Sequence, residues 1–384
     1  MLEVWVAVEV PLRRIEVSGL TSLSHAALDL SSSVTLLVGP NGAGKSNVVD
    51  AFEMLGRIID QQLNDSLVRT GGFATLLHRT ADPALSPEAI EIEVWGHWHQ
   101  EMSNGYKVRI EPGADDTAVV RETTMFHDRS KYDRPHETSL GTARESRLRE
   151  QAETAPKASY VLSVVSGCRV FHFDDTSADA PVKRRVDLAD NVTLLPDARN
   201  IAAVLLRLRA EDPPRYRRIV RVVRTVAPYF DDFVLEPEGT AIRLRWSERG
   251  LDSVFSADNL SDGTLRFVCL AVLLLQDNAP GTIVLDEPEL GLHPFAIHQL
   301  AALLRRAASD RRVVAATQSV TLLEQFSVEE VAIVERTGSG TQIQRPDPQA
   351  LAEWLDDYSL GELWEKNLLG GRPRPDDSPR VVSG

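Results

Sequence analysis

Gly39-Pro40-Asn41-Gly42-Ala43-Gly44-Lys45-Ser46 is the stretch that decides the fold. A Gly-rich loop of this kind points backbone N–H groups at phosphate oxygens, sends its lysine to the β- and γ-phosphates and offers its last hydroxyl to magnesium. Working outward, residues 33–38 read as an apolar strand feeding the loop, and Val48, Val49, Phe52, Leu55, Ile58 and Ile59 recur behind it at helical spacing. Strand, loop and helix thus come in the order a phosphate-binding loop requires. The nucleotide contacts expected here are Gly39, Asn41, Gly42, Ala43, Gly44, Lys45, Ser46 and Asn47, with Gly42 and Gly44 leaving room for close backbone approach.

Two further segments complete the chemistry. Asp286 closes the apolar run 282–286, which puts its carboxylate at the C-terminal edge of a sheet, where an α/β nucleotide fold keeps its phosphates. It is expected to hold magnesium together with Ser46, directly or through water. Glu287 follows at once and is placed as the general base or water-positioning group for attack on a γ-phosphate. Leu260-Ser261-Asp262-Gly263-Thr264 reads either as a plain helix cap, with Ser261 or Asp262 capping the apolar helix behind it, or as an anion site. Because the chain already has its phosphate loop elsewhere, the simplest anion reading gives Ser261 and Gly263 to a second subunit's nucleotide.

The 384 residues suffice for one large or two ordinary domains. A net charge of -14 argues against a cationic coat for nonspecific DNA binding and leaves only a local basic stripe as a DNA contact. Arg217, Arg218, Arg221 and Arg224 on one helix are the candidate stripe, set against the ordinary reading of a solvated face. Only six of the 42 basic residues are lysine, so Lys45 stands out. Two cysteines without CxxC spacing fit structural thiols in a reducing compartment and give no zinc site. The longest apolar run, 267–275, is too short to span a bilayer and the N-terminus lacks a signal-peptide pattern, so a cytoplasmic protein without membrane contact is expected.

Along the chain, strands are expected at 12–17, 33–38, 89–95, 106–110, 282–286 and 312–316, and hairpins around Glu238-Gly239 and Gly338-Ser339-Gly340. Helices are expected at 200–208, 215–227, 264–276 and 295–308. The polar stretch 112–157 reads as a loop and helix elaboration, and the segment after Gly370 as a disordered tail. The expected division is 1–110, a lobe with the phosphate loop; 111–200, the polar elaboration; 201–370, a lobe with the remaining chemistry; and 371–384, the tail. His172 and His293 read as packed or turn-capping residues, and Trp354 and Trp364 as core or docking residues.

In this order and spacing the motifs resemble the ABC-type ATPases, in particular the branch of RecF, the Rad-type break-repair ATPases, SMC and the OLD-like ATPases. The likeness extends to the RecF-like, AAA-family ATP-binding proteins of bacteria. It is carried by residues 14–17, 39–47, Val68-Arg69-Thr70-Gly71-Gly72-Phe73, Phe171 through Ser177, 259–267, Asp286 through Pro294 and Tyr358 through Trp364. The resemblance implies an α/β ATPase head with a P-loop core sheet, an antiparallel β subdomain and a helical subdomain. It also implies a homodimer that sandwiches two ATPs with Mg2+, residues 39–46 of one subunit facing Ser261 and Gly263 of the other, with Gly291 and Leu292 in the crossing loop. Where the family carries a switch histidine this chain has Gln318, which can hydrogen-bond a γ-phosphate but cannot become a cation, so slow hydrolysis is expected. The family's glutamine loop has no clear counterpart, and 172–177 occupies roughly its place.

Two functions follow. One is an ATPase whose ATP-driven dimerisation gates a partner in DNA repair or anti-phage defence, with catalytic Glu287, Lys45 and Gln318. The other is a slow or inactive ATP-sensing scaffold that holds an effector protein encoded elsewhere. A nuclease would need a Toprim-like acidic cluster behind the core, and a transporter ATPase an aromatic base-stacking residue before the P-loop; neither is read here.

Overall fold

The computed structural model describes residues 10–369 except 81, 83 and 85. The expected tail and most of the leader lie outside these residues. Strands β1 (Leu12–Leu20), β2 (Leu23–Asp29) and β3 (Val34–Val38) open the chain, and β3 runs through the Gly-rich loop into α1 (Lys45–Ile59). After α2 (Leu63–Thr70) come β4 (Ile90–Gly96), β5 (Met102–Pro112), β6 (Ala118–Asp128) and β7 (His136–Ala143). These pair antiparallel in the order β2-β1-β4-β5-β6-β7.

The stretch expected as a loop and helix elaboration therefore contains two strands, β6 and β7, before the short helices α3 (Leu148–Ala152) and α4 (Pro156–Ser166). The alternation explains the correction. Ala118, Val120, Glu122 and Thr124 turn inward while Arg121 and Thr123 face out, a half-buried strand whose inward polar groups hide its period. Glu122 is buried there because Tyr106 Oη, Ser146 Oγ and the Arg147 N–H donate to its carboxylate at 2.6–2.7 Å.

The chain then returns to the second sheet, which it first entered at β3, with β8 (Cys168–Phe171) and passes through β9 (Val186–Asp187), α5 (Ile201–Glu211) and α6 (Pro213–Val226). Four short strands follow, β10 (Phe230–Phe233), β11 (Ala241–Ile242), β12 (Arg245–Glu248) and β13 (Val254–Ser256), with the turn at Glu238–Ala241 where it was expected. Helix α7 (Asp262–Leu275) leads to β14 (Thr282–Asp286), α8 (Pro294–Ala307), β15 (Arg312–Thr317) and α9 (Val320–Leu323). The hairpin β16 (Val331–Thr337) and β17 (Gly340–Gln344) and the helices α10 (Pro348–Asp357) and α11 (Leu360–Glu365) end the described chain.

The second sheet runs β17-β16-β3-β15-β14-β8 and is parallel except for the β16–β17 pair. Its central strands β3, β14 and β15 are buried along nearly their whole length because both faces are covered. Leu36, Ile283, Leu285, Val313 and Ala315 face α5–α8, while Leu37, Val284, Val314 and Ala316 face α1 and the antiparallel sheet. Helix α7 is buried on nearly all sides, from Leu265 to Leu275 with Arg266 excepted. Each such buried Leu or Phe is worth about 1.5–3 kcal/mol. Cys168 and Cys269 are buried and form no disulfide. Trp364 packs on the helical core, whereas Trp354 is 45% exposed, so only the first is a core residue. No helix among the described residues is long and apolar enough to cross a membrane.

Candidate functional site

The C-terminal ends of β3, β14 and β15 lie side by side in the parallel sheet and deliver three segments to one edge. From β3 the Gly-rich loop turns into α1 with Gly42 and Gly44 at φ +79° and +103°, left-handed conformations that a side chain resists. A Cβ on Gly44 would strike Thr341 Oγ1 at 2.1 Å, while one on Gly42 would meet nothing within 4 Å, so the loop is braced on one side and open on the other. Lys45 is buried and donates to the carbonyls of Gly39 (2.7 Å) and Pro40 (3.1 Å). Burial pulls its ammonium below the usual range, against the opposing pull of Glu287, Asp286 and Glu289.

From β14 come Asp286 and Glu287. Burial raises the Asp286 carboxyl, the Ser46 hydroxyl beside it works the other way, and its buried Oδ1 has no hydrogen-bond partner among the described residues. A buried carboxylate oxygen without a donor, next to a hydroxyl at the start of α1, fits a hard divalent cation held between Ser46 and Asp286. Glu287 sits at φ +43°, a conformation costly for a side-chain-bearing residue, and its N–H donates to the Ala316 carbonyl at 2.8 Å. From β15, Gln318 Nε2 donates to Glu287 Oε1 at 2.5 Å.

The structure thus brings Lys45, Ser46, Asp286, Glu287 and Gln318 together. Asn41 and Gly42 are exposed on the loop, and Ala43 is buried with its carbonyl accepting from Thr341 Oγ1 at 2.9 Å. Asn47 is used differently, donating to Ser22 Oγ at 2.5 Å and so tying α1 to the β1–β2 turn. Ser261 and Gly263 belong to the helical core's α7 and share no bond with the loop. Ser261 caps α7 by accepting from the Thr264 N–H at 3.2 Å. A Cβ on Gly263 would meet the Gly291 carbonyl at 2.4 Å, so that glycine lets the helix start rest on the loop after β14.

His172 is not packed as expected. It is exposed beside Glu53, at 3.7 Å, and lines a cavity of about 180 Å3 with Phe173, Arg266, Asp286 and Glu287. The bond to Glu53 raises the His172 imidazole, and chiefly that same bond brings the Glu53 carboxyl down to about 2. Crowding without a partner has the opposite result at Asp50, where burial first and the Glu53 charge second push the carboxyl up to about 6. His293 caps α8 from its Nδ1, as expected of a turn residue.

Two residues of the site escaped the sequence reading. Arg266 donates to three backbone carbonyls, Phe173 (3.1 Å), Leu290 (2.6 Å) and Asp174 (2.7 Å), and joins the start of α7 to the segments after β8 and β14. Its signal was a lone arginine on a helix otherwise apolar all round. Glu289 accepts from Thr317 Oγ1, a pairing visible only once β14 and β15 are neighbours.

The profile of the AAA-domain family whose description names the AbiEii toxin and type IV TA systems matches residues 34–324, well over half of the chain. By overall shape the chain is similar to an SmcHead crystallised with the C-winged helix domain of ScpA, at TM-score 0.60 and 14% identity over 89% of this chain and 99% of that one. It is also similar to the Smc head domain with an extended coiled coil bound to the C-terminal domain of ScpA derived from Pyrococcus furiosus, at TM-score 0.56 and 13% identity over 90% and 99%. Identities this low speak for the fold. Among curated proteins none matches by sequence.

Proposed function

The chain belongs to the AAA-domain family whose description names the AbiEii toxin and type IV TA systems, and from that membership we propose that it is an ATP-gated switch of the ABC type. The observation that carries this reading is the convergence of Lys45, Ser46, Asp286, Glu287 and Gln318 at one sheet edge, with the Asp286 Oδ1 left without a protein donor. ATP is the substrate and cofactor. Ser46 and Asp286 would hold Mg2+, whose chemistry is to neutralise charge on the β- and γ-phosphate oxygens. Lys45 exchanges its loop carbonyls for phosphate oxygens, and Glu287 accepts the proton of the attacking water while Gln318 orients its carboxylate.

Ser261 and Gly263 act in trans in this reading. The Ser261 hydroxyl is exposed and bonded only within its own helix, so a second copy would bring its own phosphates to it, forming a homodimer around two ATPs. The three segments before 370, divided in sequence near 110 and 200, share one sheet, with β3 between β15 and β16, and would move as one unit as the dimer closes and opens. The output is the gating of an effector protein, in DNA repair or in anti-phage defence. The family description's mention of a TA toxin favours defence, and the ScpA domains bound to the similar heads favour a protein partner. Cytoplasmic placement completes the proposal.

A second reading, an ATP-sensing scaffold, draws on the Gln318–Glu287 bond, since an amide that cannot protonate holds the base without helping it turn over. Light scattering on wild type and Glu287→Gln with ATP and magnesium separates the two. A dimer in Glu287→Gln that dissociates in hydrolysing wild type is expected; a dimer indifferent to nucleotide selects the scaffold, and a monomer throughout overturns the trans role of Ser261.

A further inference from the structure

The turn after β14 and the end of β15 are laced together by more than the Gln318–Glu287 bond. Glu289 is only 8% exposed, and its Oε1 accepts from the hydroxyl of Thr317, itself fully buried. The same Thr317 oxygen accepts from the Ser319 N–H at 3.0 Å, and Ser319 Oγ in turn caps α9 at the Leu322 N–H. Glu287 and Glu289 therefore grip consecutive residues of β15's end, Gln318 and Thr317. The second oxygen of Glu289 is buried and has no hydrogen-bond partner among the described residues.

A carboxyl placed so deep costs several kcal/mol unless it is paired or neutral. Its retention beside a strained Glu287 calls for a reason other than packing. Thr317 is the residue before Gln318, so any shift of its backbone is passed to the Gln318 amide and from there to the Glu287 carboxylate. Burial raises the Glu289 carboxyl, with the Thr317 hydroxyl working the other way.

We propose that Glu289 is a positioning residue for the hydrolytic site: through Thr317 it fixes the end of β15 so that Gln318 holds Glu287 in its strained, water-facing conformation. The proposal rests on the ATPase reading and deepens it. Glu289 acts through two side chains, Thr317 and Gln318, and no bond is made or broken at it.

The test uses the full chain and three variants, Glu289→Ala, Glu289→Gln and Thr317→Val, each first checked for an unchanged melting temperature within a few degrees. Glu289→Ala and Thr317→Val should each lower kcat by roughly 10- to 100-fold, the cost of a misplacement of about 1 Å, with KM for ATP little moved. Their combination should fall no further than either alone. Glu289→Gln keeps the acceptor for Thr317 in a neutral side chain. It should recover most of the loss. A readout independent of turnover is the Gln318 side-chain amide, followed by NMR in glutamine-labelled protein. Its bonded chemical shift and slow exchange should persist in wild type and Glu289→Gln and vanish in Glu289→Ala. An unchanged Gln318 amide in Glu289→Ala overturns the proposal whatever the rates. A Gln318 amide that responds as expected in a protein that binds ATP and never hydrolyses it leaves the positioning intact and overturns the ATPase reading instead.

Discussion

The two ends of the proposed nucleotide site are built in opposite ways. At the sheet edge, Lys45, Glu287 and Gln318 are all bonded within the chain, and one of them is held at a strained backbone angle. At the start of α7, Ser261 is exposed and its hydroxyl reaches only Thr264, while Gly263 serves to let Gly291 approach. The first end is organised before any ligand arrives. The second is a surface whose geometry is fixed by Arg266 and Gly263 and whose target, in the proposed reading, is a second copy's nucleotide. In the proposed reading a site half internal and half external would make assembly a condition of chemistry, which is what a switch requires.

Trans-complementation is the strongest way to break that contrast. Lys45→Ala removes the internal end and Ser261→Arg blocks the external one, and each alone should lower hydrolysis at least about 100-fold. Mixed in equal amounts they should regain about a quarter of the wild-type rate, because half of the dimers are then mixed and each has one of its two composite sites whole. No regain on mixing would place both ends in one chain and dissolve the comparison.

The glycines sharpen it at the level of stability. Gly263→Ala must push a Cβ to 2.4 Å from the Gly291 carbonyl and should cost about 1–3 kcal/mol of folding free energy with weakened dimerisation. Gly42→Ala meets no atom and pays only for its left-handed backbone, about 1–2 kcal/mol, while nucleotide affinity falls. Chemical denaturation with a nucleotide titration separates them: affinity lost at Gly263 with stability intact would reverse the assignment.

What could be read from the sequence follows the same division. The loop, α1, β14 and α7 announce themselves because each is a local pattern: a run of glycines, a 3.6-residue apolar period, an apolar strand ending in Asp-Glu. The strands β6 and β7 did not: inward positions of β6 include Glu122 and Thr124, satisfied by partners up to 25 residues away, and β7 is an exposed edge strand with no buried residue to give it a period. Glu289 and Thr317 are likewise 28 residues apart and meet only when β14 and β15 pair. Arg266 is a third case, since its three acceptors are backbone carbonyls and leave no trace in residue identity. Periodicity is legible locally; a polar group's reason for being buried is tertiary.

The smallest effect concerns His172, which stands at the cavity between the two ends. Its bond with Glu53 raises the imidazole above its ordinary 6.5 and lowers the Glu53 carboxyl from 4.5 to about 2. A raised histidine contributes stability that is full below its unfolded value and is lost as pH climbs through the folded one. A depressed carboxyl contributes stability that is full above its unfolded value and is lost as pH falls toward about 2. The pair's contribution is therefore greatest between about pH 4.5 and 6.5, and for so exposed a pair it should not exceed about 1 kcal/mol. Melting temperatures of wild type and His172→Gln should differ most in that window and converge above it. A difference that grew with pH instead would mean that His172 works neutral, as a hydrogen-bonding group of the cavity, and would move it from the structural frame to the nucleotide side of the site.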